Sequence, residues 1–152
     1  MSGRGEAEDA PFEAETSCEE ETAALGRSLA ARLRPGDALL VEGPLGSGKT
    51  VLCRGAAEAL GVDPRSVHSP SFNILLVYRG RVPVHHIDLY RLASAEEAVE
   101  AGVEEALWNG EAVTLVEWAE KLEGVPRPAG IEVRIEPLGA DRRRISVRRA
   151  TR

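Results

Sequence analysis

Residues 43–50 read Gly43-Pro44-Leu45-Gly46-Ser47-Gly48-Lys49-Thr50, a match to the pattern G-x4-G-K-[ST]. Its glycines permit backbone angles and close approaches that a side chain would block, so several N–H groups can converge on a chain of phosphates. Lys49 adds a full positive charge at the outer phosphates, and the Thr50 hydroxyl is of the kind that binds magnesium. The flanks supply the context that this chemistry needs. Ala38-Leu39-Leu40-Val41 is a short, nearly continuous apolar run, as expected of a strand covered on both faces. From Lys49 to Leu60 the pattern turns helical, with Leu52, Ala56, Ala59 and Leu60 on one side and Gly61 placed to end it. Strand, glycine loop and helix are contiguous, and a helix N-terminus favours the same negative charge as the loop.

Working outward, Ser17-Cys18-Glu19-Glu20 has capping-box form, and Leu25, Leu29 and Leu33 follow every four residues, which predicts an amphipathic helix ending before Pro35-Gly36. Met1–Pro11 carries no apolar period and reads as a flexible tail, so a single domain is expected over 12–150. Downstream, Asn73–Tyr78 and Val82–Asp88 read as strands joined by a turn at Arg79-Gly80-Arg81. Ser94-Ala95-Glu96-Glu97 caps a further helix that breaks at Gly102 before a short piece through Trp108. Ala112–Val116 is a second buried strand, and Ile131–Ile135 with Ile145–Val147 alternate as a half-exposed hairpin. The fold class expected is α/β: a three-layer P-loop NTPase-like fold with a mixed central sheet and a C-terminal antiparallel hairpin. The Arg142–Arg144 cluster is expected to decorate that hairpin's turn as a solvated face.

Composition narrows the function. The chain has 152 residues, 43% of them hydrophobic, which suits one core. A net charge of −6 argues against gripping DNA or RNA over a broad basic surface, so any contact with RNA is expected to be indirect. No apolar stretch approaches a membrane span and the acidic N-terminus lacks signal-peptide regions, so a cytoplasmic protein without membrane contact is expected. Cys18 and Cys53 are too few and too far apart for a metal pair or disulfide framework and read as ordinary thiols.

Magnesium is usually reached through a second carboxylate where a buried strand ends beside the loop. Val113-Thr114-Leu115-Val116-Glu117 has that form, though a solvent-facing strand-terminal glutamate would look the same. Asp88 ends the Val84–Ile87 strand, where it could orient an attacking water or simply cap a turn. His85 and His86 must point to opposite faces of their strand and, like His68, read as structural histidines. Trp118 is a large aromatic next to Glu117, whether core or contact. Guanine recognition by Asn-Lys-x-Asp is not expected, since neither Asn73 nor Asn109 is followed by lysine.

Taken together, GPLGSGKT followed by Arg54-Gly55, then Ser69–Phe72 (SPSF), His86–Leu92 (HIDLYRL) and Val116–Trp118 (VEW), closely resemble the bacterial TsaE (YjeE) family, as do Glu21-Thr22 and Leu25-Gly26 in the first helix. That resemblance implies an ATPase of the pathway that makes N6-threonylcarbamoyladenosine at position 37 of tRNA, working with the proteins TsaD and TsaB. It implies that the Gly43–Val51 loop, with Leu45, Ser47 and Val51 beside the glycines, binds ATP and that Thr50 and Glu117 bind Mg2+. It further implies that Asp88 and Trp118 matter for activity, and that adenine sits between Ser17-Cys18 and the hairpin turn near Asp141. Where the family usually has threonine in an SPT motif this chain has Ser71, which keeps the hydroxyl and so a catalytic or metal-side role. The alternatives are a small-molecule P-loop kinase, against which stands the lack of an arginine-bearing lid, and an assembly module whose turnover is incidental.

Overall fold

The computed structural model describes residues 10–67 and 74–150. Ser71 with the rest of the Ser69–Phe72 motif, His68, and most of the N-terminal tail lie outside the described residues. In chain order the elements are β1 (Phe12–Thr16), α1 (Glu19–Ala30), β2 (Ala38–Glu42), α2 (Lys49–Ala59), β3 (Leu75–Arg79), β4 (Pro83–Asp88), α3 (Ala95–Glu100), α4 (Val103–Leu107), β5 (Val113–Glu117), β6 (Gly130–Gly139) and β7 (Arg142–Ala150). Short 3-10 turns occur at Pro64–Ser66 and Ala119–Leu122.

One sheet of seven strands in the order β1-β7-β6-β2-β5-β4-β3 carries the structure. Strand β2 pairs in parallel with β5 and β6, and β4 in parallel with β5; the β3–β4, β6–β7 and β1–β7 pairs are antiparallel. Period-two alternation splits the buried residues between two cores. Leu39 and Val41 of β2, Val113 and Leu115 of β5 and Ile145 of β7 pack with Leu29 of α1 and Leu52 of α2. Ala38, Leu40, Ile87 and Val116 pack on the other side with Ala98 of α3, Leu107 of α4 and Leu122. The result is the expected α/β, three-layer, P-loop NTPase-like fold with a mixed sheet and a C-terminal hairpin.

Local details differ from the sequence reading where tertiary contacts decide. Helix α1 starts after Cys18, whose side chain makes no cap, and Glu21 rather than Glu20 reaches back to accept the Ser17 N–H at 2.7 Å. The leucine stripe is buried at Leu29 and Leu33, although the helix itself ends at Ala30. Strand β1 carries no strong sequence signal: it is short and acidic, and becomes a strand only by pairing with β7. At Ser94 the cap forms, its Oγ accepting the Glu97 N–H, while Glu97 reaches one residue past the box expected, to the Ala93 N–H.

Helices α1 and α2 touch backbone to backbone. A Cβ on Gly26 would lie 2.1 Å from the Leu52 carbonyl oxygen, and one on Gly55 would lie 2.0 Å from that of Ala23. The helix that begins at the glycine loop is therefore seated against α1 as tightly as the chain allows.

Candidate active site

The two parallel strands that flank the loop end at carboxylates. β4 and β5 are in register, placing Asp88 opposite Glu117, and Val41 pairs with Glu117 on the other side. Parity then sets direction: Glu117 shares its face with Val113 and Leu115, and His86 and Asp88 share theirs with Val84, all toward the α2 side of the sheet. There the Thr50 hydroxyl donates to Glu117 Oε1 at 2.6 Å. His86, fully buried, lies 2.6 Å from Glu117 Oε2 through Nε2 and 3.0 Å from the Tyr78 hydroxyl through Nδ1. A carboxylate only accepts, so Thr50 and His86 Nε2–H both donate to it, while Nδ1 pairs with the Tyr78 hydroxyl. Glu117 is 2% exposed, which rules out the solvent-facing alternative.

His85 points the opposite way, with Nδ1 3.3 Å from the Ala106 carbonyl, so both described histidines have hydrogen-bond partners within the protein. Cys53 follows Thr50 by one helical turn and approaches His86 and Glu117. Burial pushes its thiol well above the usual range, which keeps it a neutral neighbour.

The loop turns tightly over this face. A Cβ on Gly43 would meet Ser47 Oγ at 2.7 Å and the Ile135 carbonyl at 2.8 Å, while Gly48 sits at φ 104°, a left-handed angle that suits glycine. The Lys49 ammonium donates to the Gly43 carbonyl at 2.6 Å, the Pro44 carbonyl at 2.7 Å and Ser47 Oγ at 3.3 Å. It also lies 4.0 Å from the centre of the Trp118 ring. Burial draws its pKa below the usual value, against the opposing pull of Glu120, Glu117 and Asp88. Trp118 itself takes φ 60° immediately after β5, and its ring lies 5.0 Å from that of Tyr90. That left-handed turn swings the tryptophan back over the lysine.

These groups share one cleft of about 680 Å3. Leu45 through Val51, Asp88, Glu117 and Trp118 all line it, and Gly43 reaches it through the Lys49 ammonium. Cys18 and Asp141, from opposite ends of the chain, also line it. Asp88 fills the cap role, its Oδ1 accepting the Tyr90 N–H at 2.9 Å, and the residue also lines the cleft. The oxygen donors of Thr50 and Glu117, with Asp88 alongside, are the set that a hard cation such as magnesium prefers, so the residues present fit that ion.

Three residues at the site receive no functional role from the sequence, although His86 opens the HIDLYRL motif. His86, expected to be structural, anchors Glu117. The arginine cluster is not uniformly solvated: Arg142 and Arg144 pair with Glu15 and Glu136 at the surface, but Arg143 turns onto the loop, its Nε donating to the Ser47 carbonyl at 2.8 Å. Glu120, from the turn after β5, accepts the Gly43 N–H at 3.3 Å. No local pattern marks Arg143 or Glu120.

Desolvation raises the Glu120 pKa, although the Gly43 N–H pulls the other way. A carboxyl raised in the folded state binds its proton more tightly than in the unfolded chain. Its contribution to stability is therefore complete below the unfolded value near 4.5 and fades as pH climbs through the folded one. Glu120→Gln should remove this segment of the pH–stability curve, with a small effect because the side chain is exposed. Melting curves from pH 4 to 8 check it, and wild-type and variant profiles of the same shape would refute it.

Residues 16–145 match the family described as "Threonylcarbamoyl adenosine biosynthesis protein TsaE". The "tRNA threonylcarbamoyladenosine biosynthesis protein TsaE" of Rickettsia conorii is 42% identical over 130 residues, covering 85% of this chain and 73% of that one. The protein of the same name from Bacillus subtilis is 40% identical over 128 residues, covering 84% and 78%. The crystal structure of Bacillus subtilis YdiB superposes with a TM-score of 0.72 at 34% identity, over 91% of this chain and 84% of that one. Sequence match and three-dimensional likeness agree over nearly all the described residues, and the chain belongs to the TsaE family.

Proposed function

We propose that this chain binds ATP with magnesium and hydrolyses it in support of N6-threonylcarbamoyladenosine formation on tRNA at position 37. The observation that carries the reading is the 2.6 Å contact between the Thr50 hydroxyl and Glu117, which joins the first helical turn after the glycine loop to the end of the neighbouring strand. Two oxygen donors from distant parts of the chain meet beside a lysine that borders the same cleft. Thr50 and Glu117 would hold the magnesium ion, which supplies charge neutralisation at the phosphate oxygens. Lys49 binds the phosphates, and Asp88, beside Glu117 in register, orients the attacking water. Ser71 belongs to this proposal through its family motif.

The tRNA-modification role rests on family membership, and with it the partners TsaD and TsaB; the acidic net charge of −6 favours indirect contact with tRNA, and the sequence reading a cytoplasmic setting. Lys49→Ala should lower ATP affinity at least about tenfold, since it removes a buried cation whose charge the phosphates would meet. Equilibrium binding of ATP to the two proteins measures this, and equal affinities would sink the phosphate-loop assignment. Hydrolysis should be slow for the isolated chain and stimulated by TsaB with TsaD; equal turnover in both conditions would remove the partner assignment. Transfer of labelled γ-phosphate to an acceptor other than water would point to a kinase instead.

A further inference from the structure

The C-terminal hairpin is built into the phosphate loop. Its turn at Ala140-Asp141 has positive φ at both residues, 49° and 65°, which sets the register of β6 against β7 and brings Arg143 inward, two residues after the turn. Arg143 Nε donates to the Ser47 carbonyl at 2.8 Å and Nη2 to the Gly46 carbonyl at 3.4 Å, while Nη1 holds the Arg142 carbonyl at 3.3 Å. One guanidinium thus grips two successive carbonyls at the tip of the glycine loop. On the other side stands α1: a Cβ on Gly48 would lie 3.8 Å from the Thr22 methyl and 3.9 Å from Arg143 Nε. Thr22 is itself buried and tied to Thr16 of β1 by a 2.8 Å hydroxyl contact.

In a planar trans peptide the carbonyl and the following N–H point in opposite directions. Holding the Ser47 carbonyl toward the hairpin fixes the Gly48 N–H on the far side of that plane. Holding the Gly46 carbonyl does the same for the Ser47 N–H, which closes onto the Pro44 carbonyl at 3.1 Å. Glycines at 46 and 48, both at positive φ, leave these planes otherwise free to rotate. A planar, forked cation is the side chain suited to lock two of them together, whereas an ammonium offers no fixed fork.

We propose that Arg143 is a positioning residue for phosphate recognition: it sets the peptide planes of Gly46–Gly48 from the C-terminal hairpin, so that the loop meets a polyphosphate preformed. The inference rests on the ATP-binding function proposed above. Arg143→Ala should weaken binding of ATP and of inorganic triphosphate in parallel, by about tenfold, the loss expected for one to two charge-assisted hydrogen bonds. Arg143→Lys should restore part of that loss. Arg144→Ala, which removes only the surface pair with Glu136, should leave both affinities unchanged.

The measurement is calorimetric or competition binding of the two ligands to the full chain, with melting temperatures recorded alongside. Unchanged triphosphate affinity in Arg143→Ala overturns the proposal, whether or not ATP binding falls, because a residue acting on the base or on general stability would spare the phosphate-only probe. Arg143→Gln, with a neutral donor of shorter reach, gives the same test if the alanine variant does not fold. Failure of the ATP-binding reading shows separately, as a wild-type chain that binds neither ligand.

Discussion

Glu117→Ala is expected to reduce ATP hydrolysis by about a hundredfold or more while ATP affinity stays within a few fold of wild type. Removing one preorganised group from developing transition-state charge lowers turnover by about 10²–10³ in enzymes that work this way. Binding should be spared because the phosphate contacts proposed for the loop and Lys49 do not pass through Glu117. The same substitution strips the Thr50 hydroxyl and the fully buried His86 of their shared acceptor. An orphaned buried group such as His86 costs about 1–3 kcal/mol, so the melting temperature should fall as well. Glu117→Asp separates the two effects, since it keeps the charge but withdraws it from Thr50. Single-turnover hydrolysis and equilibrium binding on the same preparations check the split; turnover within threefold of wild type in Glu117→Ala would show that this carboxylate has no part in the chemistry.

Gly55→Ala is expected to destabilise the fold by about 3 kcal/mol or more, near the upper end of what overpacking costs. In an exposed helix the same change would stabilise by about 1 kcal/mol through helix propensity, so the contact decides the sign. The added Cβ would lie 2.0 Å from the Ala23 carbonyl oxygen, which is backbone and cannot swing aside as a side chain would. Helices α1 and α2 would have to part, carrying the N-terminus of α2 and with it the phosphate loop. For a chain of this size the loss corresponds to a melting temperature lower by roughly 6–12 °C. Gly26→Ala should act alike from the opposite helix, with its Cβ against the Leu52 carbonyl. Thermal and denaturant unfolding of both variants test this, and a Gly55→Ala protein as stable as wild type would mean that the helices separate at no cost.

Much of the architecture is legible in the amino-acid sequence alone. The Gly43–Thr50 loop, the strand that leads into it and the helix that follows are consecutive in sequence, and their signals are local: glycine permissiveness, apolar period and a capping position. The same holds for the cap at Ser94, the helix break at Gly102 and the alternating terminal hairpin. The carboxylates at Asp88 and Glu117 are legible for a related reason, because a strand ending in an acid has a recognisable form. What the pattern leaves open is direction, and strand parity together with register turns both toward α2.

By itself, then, the sequence determined the glycine loop, the strands and helices around it, the α/β class and the family. Only the tertiary structure decided which distant groups complete the site. Arg143 meets Ser47 across 96 positions, Glu120 meets Gly43 across 77, and His86 meets Glu117 across 31. Each contact depends on strand order and register summed over the whole sheet, and nothing in the neighbourhood of either residue announces its partner. Arg142, Arg143 and Arg144 look alike in sequence; the pleat of β7 and the turn at Ala140-Asp141 send the middle one to the loop and leave its neighbours at the surface.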